Sequence, residues 1–223
     1  MKKRPSSSSV QIAAIDLGAT SGRVILGTYS KGNLSLEEVH RFPNKFEFLG
    51  KNCYWNLPGL FAEVRIGLLK AKEKAPNLVS CGIDIWGVDS VLVDKKGRLV
   101  QPTYAYRDTR SEALSRKLAK SGIEDVYKWT GIQVLPFNTS LQLQETLTKY
   151  PAITDIADRC LFLPDYFNFL LSGKMVTEIS VASTSQLLDV HSCKMSQPAL
   201  DHFGIPSNWF SKPKLSPANL GKI

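Results

Sequence analysis

Two acid-bearing glycine turns stand out in the 223 residues. The first, Asp16-Leu17-Gly18-Ala19-Thr20-Ser21-Gly22-Arg23, follows an apolar run from Val10 and puts a carboxylate at the end of an expected buried strand. Glycines in such a turn let backbone N–H groups converge, and converging amides bind phosphate. Thr20 and Ser21 add hydroxyl donors and Arg23 a cation. Asp16 can hold Mg²⁺ directly or through water, since this ion keeps several waters and takes one or two carboxylates. Each role suits the tail of ATP; the alternative is an ordinary hairpin with a solvent-facing aspartate. The second turn, Gly82-Ile83-Asp84-Ile85-Trp86-Gly87-Val88-Asp89, interrupts two apolar runs. Carboxylates at strand ends are costly unless hydrogen-bonded or functional. Trp86 can offer a flat wall to a sugar face, and Gly87 lets the backbone approach a hydroxyl; the alternative is a core tryptophan in a β-turn. Tyr104-Ala105-Tyr106-Arg107-Asp108 adds planar donors and acceptors of the kind that recognise polyols, or a structural ion pair between Arg107 and Asp108.

These residues need a scaffold, and hydrophobic periodicity supplies its outline. Val10 to Asp16 reads as a buried strand, Gly18 to Gly22 as a tight turn, Arg23 to Tyr29 as a second strand, and Lys31-Gly32-Asn33 as a hairpin turn into a third. Asn56 can cap a helix with Pro58 in its first turn, and Leu57, Leu60, Phe61, Val64, Leu68 and Ala71 recur on one face. Leu78 to Asp84 resumes a buried strand, and Val88 to Asp94 predicts another, closed by the turn Lys95-Lys96-Gly97. The expected order is β-β-β-α-β. From Ser111 onward helices dominate: around Leu114 and Leu118 before Gly122, Leu141 to Tyr150, and Tyr166 to Leu171 before Gly173. Short strands are expected at Cys160 to Leu163 and Gln186 to Val190. Residues 1–9 read as a disordered leader, and 206–223, rich in Pro, Ser and Lys, as a connector.

Composition narrows the function classes. Apolar and charged fractions are those of a globular protein. No apolar run approaches the roughly 18 residues that cross a bilayer, and the first nine residues lack the apolar stretch of a secretory signal, so a cytoplasmic setting is expected. The four cysteines form no C-x-x-C pair, and neither zinc nor a disulfide scaffold is expected; His191 with Cys193 is a weak metal motif. The net charge of +8 is spread as singlets and pairs, which favours a solvated surface that attracts anionic nucleotides over a nucleic-acid interface.

The run of strands with a glycine turn between the first two resembles the ribonuclease-H-like domain of actin, the Hsp70 ATPase and sugar kinases, an α/β fold with a mixed central sheet flanked by helices. Asp16 to Arg23 is similar to the first phosphate motif of the FGGY carbohydrate kinases. Ala19 to Arg23 and four further colinear blocks resemble the rhamnulokinase branch: Glu37 to Phe42, Gly82 to Asp89, Gly131 to Thr139, and Leu163 to Tyr166. Many family members carry threonine where Ala19 stands, and the family's Lys and Trp after Phe137 are missing. The resemblance implies Ala19, Thr20, Ser21, Gly22 and Arg23 at ATP, Asp16 at Mg²⁺, and Gly87 at the sugar, with Trp86, Asp108 and Phe137 as further pocket candidates. It implies ATP-dependent phosphorylation of L-rhamnulose to its 1-phosphate. It also implies no catalytic base in this chain, which residues 10–205 make an N-terminal kinase domain whose partner is a C-terminal kinase domain beyond Ile223; neither a nucleic acid nor a membrane is an expected partner. The remaining alternatives are an FGGY kinase for another ketose or deoxy sugar, and a non-catalytic actin-like binding module.

Overall fold

The computed structural model describes residues 9–120 and 123–222. Apart from Ser9, the expected leader lies outside the described residues, as does the helix stop at Gly122. The chain forms two compact units, one made of the described residues up to Lys45 with Asn56–Trp86, the other of Phe46–Trp55 with the residues from Gly87 onward.

In the first unit, β1 (Val10–Leu17), β2 (Ser21–Ser30) and β3 (Asn33–Pro43) form an antiparallel meander, and β6 (Ser80–Ile85) lies parallel to β1, giving the order β3-β2-β1-β6. The hairpin at Lys31-Gly32 has positive φ at both residues (50° and 85°), the two-residue turn whose twist matches its strands. Ala13, Ile15 and Leu17 alternate inward and are buried, as the period of a half-buried strand requires. Against them packs α1 (Leu57–Lys74), capped by the Asn56 side chain, which accepts from the Gly59 amide at 3.0 Å. Leu57, Leu60, Val64 and Ala71 line its inner face. Gly67 lies among them because a Cβ there would stand 2.3 Å from Val24. The apolar-periodicity count missed it, since close approach rather than hydrophobicity puts it inside.

The second unit departs from the sequence reading at several places. A hairpin, β4 (Phe46–Leu49) and β5 (Asn52–Trp55), precedes α1 in the chain, its turn closed by Gly50 at φ 65°. The run read as Val88 to Asp94 is the shorter β7 (Ser90–Val93), which pairs with β8 (Arg159–Phe162) in a separate sheet and does not extend the four-stranded one. Local pattern reports a buried strand but not its partner. The remaining helices are α2 (Glu112–Leu118), α3 (Ile123–Thr130), α4 (Thr139–Lys149), α5 (Leu163–Ser172), α6 (Ile179–Ser183) and α7 (Gln197–Phe203). The strand expected at Gln186 to Val190 is instead a series of turns begun by Gln186 at φ 64°, with one bridge from Leu188 to Met195. At the start of the segment read as a connector, Trp209 and Phe210 are buried with Phe162, Leu141 and Leu200 in the core of this unit. Among the described residues no helix is long and apolar enough to cross a membrane.

Candidate active site residues

In the first unit the sheet places the first glycine turn between β1 and β2. β1 ends at Leu17, and only Gly18, Ala19 and Thr20 lie outside the strands; Ser21 and Gly22 already belong to β2. The Gly18 amide donates to the Ser21 carbonyl at 2.9 Å, so this glycine closes the turn on itself. Gly22 serves packing: a Cβ there would stand 2.4 Å from the Phe42 ring and 2.8 Å from Leu17. Burial beneath the turn therefore by itself requires a glycine at this place. Asp16 pairs with Arg23 at 2.7 Å, both side chains being well exposed. An ion pair of that exposure contributes little in water, so either partner can exchange it for a more highly charged ligand.

The sequence reading missed Asn44, which holds the turn from below. Its side-chain amide donates to the Gly18 carbonyl at 2.7 Å and its backbone amide to the Thr20 carbonyl at 3.0 Å. The residue is 2% exposed and its Oδ1 is buried without a partner among the described residues. Its place one residue after a strand gave no signal beyond a generic turn preference. Parallel pairing also sets Asp84 in register with Asp16, so two carboxylates stand side by side at the carboxyl ends of β1 and β6. Among the described residues no group of three or more metal-binding side chains forms. One or two carboxylates supplemented by water and phosphate oxygens are, however, the donor set Mg²⁺ prefers, and Asp16 with Asp84 fits it. Trp86 follows β6 at the end of this unit and is partly exposed.

In the second unit Gly87 opens a tight turn. Its carbonyl accepts from the Asp89 amide at 2.9 Å, leaving Val88 between them at φ 66°. Asp89 is fully buried and is held from three sides: Trp55 Nε1 donates to Oδ2 at 2.6 Å, the Tyr106 amide to Oδ2 at 3.2 Å, and Gln142 Nε2 to Oδ1 at 3.2 Å. Asp108 is likewise engaged with the protein. It accepts from the Cys53 amide at 2.7 Å, Asn52 Nδ2 at 3.1 Å and the Arg110 amide at 2.9 Å, tying β5 to the loop before α2. The alternative reading of Arg107 and Asp108 as an ion pair is not met; Arg107 lies over the Phe46 and Tyr106 rings, 6.0 and 5.3 Å from their centroids. Phe137 meets Tyr106 edge to face at 6.2 Å, so it belongs to an aromatic group with Trp55 and Phe46.

Beneath this group, Arg110 forms a buried pair with Glu145 at 2.5 Å, also donates to Thr146 and the Gln142 carbonyl, and lies 3.9 Å from the Tyr104 ring centroid. Burial, then the neighbouring Tyr54 hydroxyl, pushes the Tyr104 phenol well above its ordinary value. Burial, reinforced by Asp108 and Asp89, raises the Cys53 thiol. Both groups stay protonated near neutral pH. The first unit thus gathers Asp16 and Ala19 to Arg23, while the second gathers Gly87, Asp108 and Phe137.

The fold recurs in solved structures of sugar kinases. The crystal structure of a gluconate kinase from Lactobacillus acidophilus superimposes with a TM-score of 0.83 at 17% identity, over 94% of this chain and 42% of that one. A xylulose kinase from the same organism gives 0.81 at 17% identity, over 92% and 42%. Such identities speak for the fold alone. The model of the FGGY family of carbohydrate kinases, N-terminal domain, matches residues 11–223, and the chain belongs to that family. Among curated relatives, a rhamnulokinase from Mannheimia succiniciproducens is 43% identical over 206 residues, or 91% of this chain and 43% of the relative. One from Bacteroides thetaiotaomicron is 40% identical over 203 residues, or 89% and 41%. The chain therefore spans less than half the length of the curated relatives it matches.

Proposed function

We propose that this chain is the N-terminal part of an ATP-dependent kinase that converts L-rhamnulose to L-rhamnulose 1-phosphate in a cytoplasmic setting. The observation that carries the reading is the β1–β2 turn, pinned by Asn44 beside the Asp16–Arg23 pair, in a chain more than two-fifths identical to a rhamnulokinase. Ala19, Thr20, Ser21, Gly22 and Arg23 would follow the phosphates of ATP, with Asp16, and Asp84 beside it, as the carboxylates for Mg²⁺. When bound, this ion supplies positive charge that offsets the charge of the phosphate oxygens. Arg23 contributes a second cation, and the turn holds these groups in place before substrate arrives, which is where kinases gain most of their rate.

Gly87 would present its backbone to the sugar, with Phe137 as an apolar wall in the same unit; Trp86 is a further apolar surface in the first unit. Asp108 acts one layer further back, fixing Asn52, Cys53 and Arg110 around that surface. No side chain of this chain is assigned as general base for the sugar hydroxyl. That group would come from a C-terminal kinase domain, for which the greater length of the relatives leaves room.

Two measurements on the 223-residue chain test this reading. Ligand-observed NMR is expected to show weak, saturable binding of L-rhamnulose but not of unrelated ketoses, and an ADP-release assay is expected to show negligible turnover. An equal response to all ketoses would refute the substrate, and sustained Mg²⁺-dependent phosphorylation by this chain alone would refute the division of labour.

A further inference from the structure

Val88 is a β-branched residue in the left-handed region, at φ 66°. There its Cβ crowds the backbone, and few such residues occupy that conformation without being held. The hydrogen bond from the Asp89 amide to the Gly87 carbonyl, 2.9 Å long, closes a three-residue γ-turn around it. Glycine or asparagine would take this turn with less strain; valine does not sustain it alone.

What holds it comes from far along the chain. The Val88 amide donates to Thr184 Oγ1 at 3.0 Å, 96 residues away. Thr139 Oγ1, 51 residues away, donates to the Val88 carbonyl at 2.6 Å, and Gln142 Nε2 reaches the same oxygen at 3.3 Å. Thr184 Oγ1 donates in turn to the Val181 carbonyl at 2.8 Å, so its single proton is used and its lone pair is directed to Val88. Both backbone polar groups of Val88 are therefore satisfied by side chains rather than by a sheet. The same hydroxyl closes off Gly87, where a Cβ would stand 2.7 Å from Thr184 Oγ1.

We infer that Thr184 and Thr139 are positioning residues: their hydroxyls clamp Val88 in the strained turn and thereby set the direction in which the Gly87 peptide meets the sugar. The inference rests on the sugar-binding role proposed for Gly87 and adds the parts that make that role possible. Neither threonine need touch the ligand. Their effect is carried through one peptide, and a turn that valine will not keep by itself makes the coupling strong.

The test uses the full 223-residue chain, L-rhamnulose as probe, and NMR titration at a temperature where each variant is folded. Thr184→Val keeps the shape and removes the acceptor; it is expected to weaken binding about tenfold, the worth of one hydrogen bond. Thr184→Ser restores the hydroxyl and is expected to recover affinity to within about threefold of the parent. Adding Val88→Gly to Thr184→Val should regain part of the loss, because glycine adopts the turn without a clamp; a merely structural threonine would show no such rescue. Should Thr184→Val not fold, Thr139→Val removes the other hydroxyl and decides the question. A folded Thr184→Val chain that binds like the parent overturns the clamp while leaving the proposed function standing. A parent chain that binds no L-rhamnulose overturns the proposed function, and the clamp's role with it.

Discussion

Replacing Asp165 by asparagine is expected to stabilise the second unit above neutral pH and to do little below about pH 4. Asp165, in the first turn of α5, is fully buried; its Oδ2 accepts from the Glu178 amide at 3.1 Å and its Oδ1 has no partner among the described residues. Burial first, and then the charge of Glu178, outweigh that one hydrogen bond and raise its pKa from 3.8 to about 7. Burial also opposes charge on Glu178, but the Ser180 hydroxyl and the Val181 amide outweigh it and hold this carboxyl low, so of the two acids Asp165 keeps the proton.

The sign follows from proton counting. Between pH 3.8 and about 7 the unfolded chain has lost the Asp165 proton while the folded one retains it, so stability falls as pH rises through that window and levels off above it. At about 1.36 kcal/mol per pH unit, the full cost is about 4 kcal/mol, an upper value that relaxation of the site reduces. Asparagine keeps an acceptor for the Glu178 amide and carries no charge, so at pH 8 the variant should be the more stable, by about 5–10 °C in Tm for a chain of this size. Thermal melts of parent and variant from about pH 4 to about pH 8.5 isolate this one carboxyl as the difference between two curves. A variant less stable than the parent at pH 8, or a difference that does not change with pH, would refute the argument.

Asn44→Ala removes the donor to the Gly18 carbonyl and should cost about 1–2 kcal/mol in denaturant unfolding of the first unit. It should also weaken the response to a fluorescent ATP analogue, whereas exposed Lys45→Ala next to it should not. Gly22→Ala pushes a methyl toward the Phe42 ring and should cost about 1–3 kcal/mol by the same unfolding measurement, with Phe42→Leu in the same chain returning part of the loss.

Much of the fold was legible because its signals are local. The β1–β2–β3 meander follows from the apolar runs that flank the Gly18–Gly22 turn and from Lys31-Gly32, although β1, read as buried, is buried on one face only; α1 follows from Asn56, Pro58 and its apolar stripe; α5 stops at Gly173 with φ 73°. Legibility declined where the signal was short. The four-residue strands β4 and β5 are too brief for a period to register, and Gln186 to Val190 has a strand's composition but turns at Gln186. Gly22 was read as part of a phosphate turn and serves packing as well, a distinction that only the nearby Phe42 ring makes visible.

By itself the chain's order of residues determined which local conformations were available: where glycine or asparagine closes a turn, where an apolar run makes a strand, and where an acid stands at a strand tip. These depend on neighbours within a few positions, and their energies are present before the chain is compact. Tertiary structure decided which polar groups meet. Trp55 reaches Asp89 across 34 residues, Cys53 reaches Asp108 across 55, and Thr184 reaches Val88 across 96. Such pairs form only once packing has brought distant segments within about 3 Å and removed the competing water, so no local pattern could announce them.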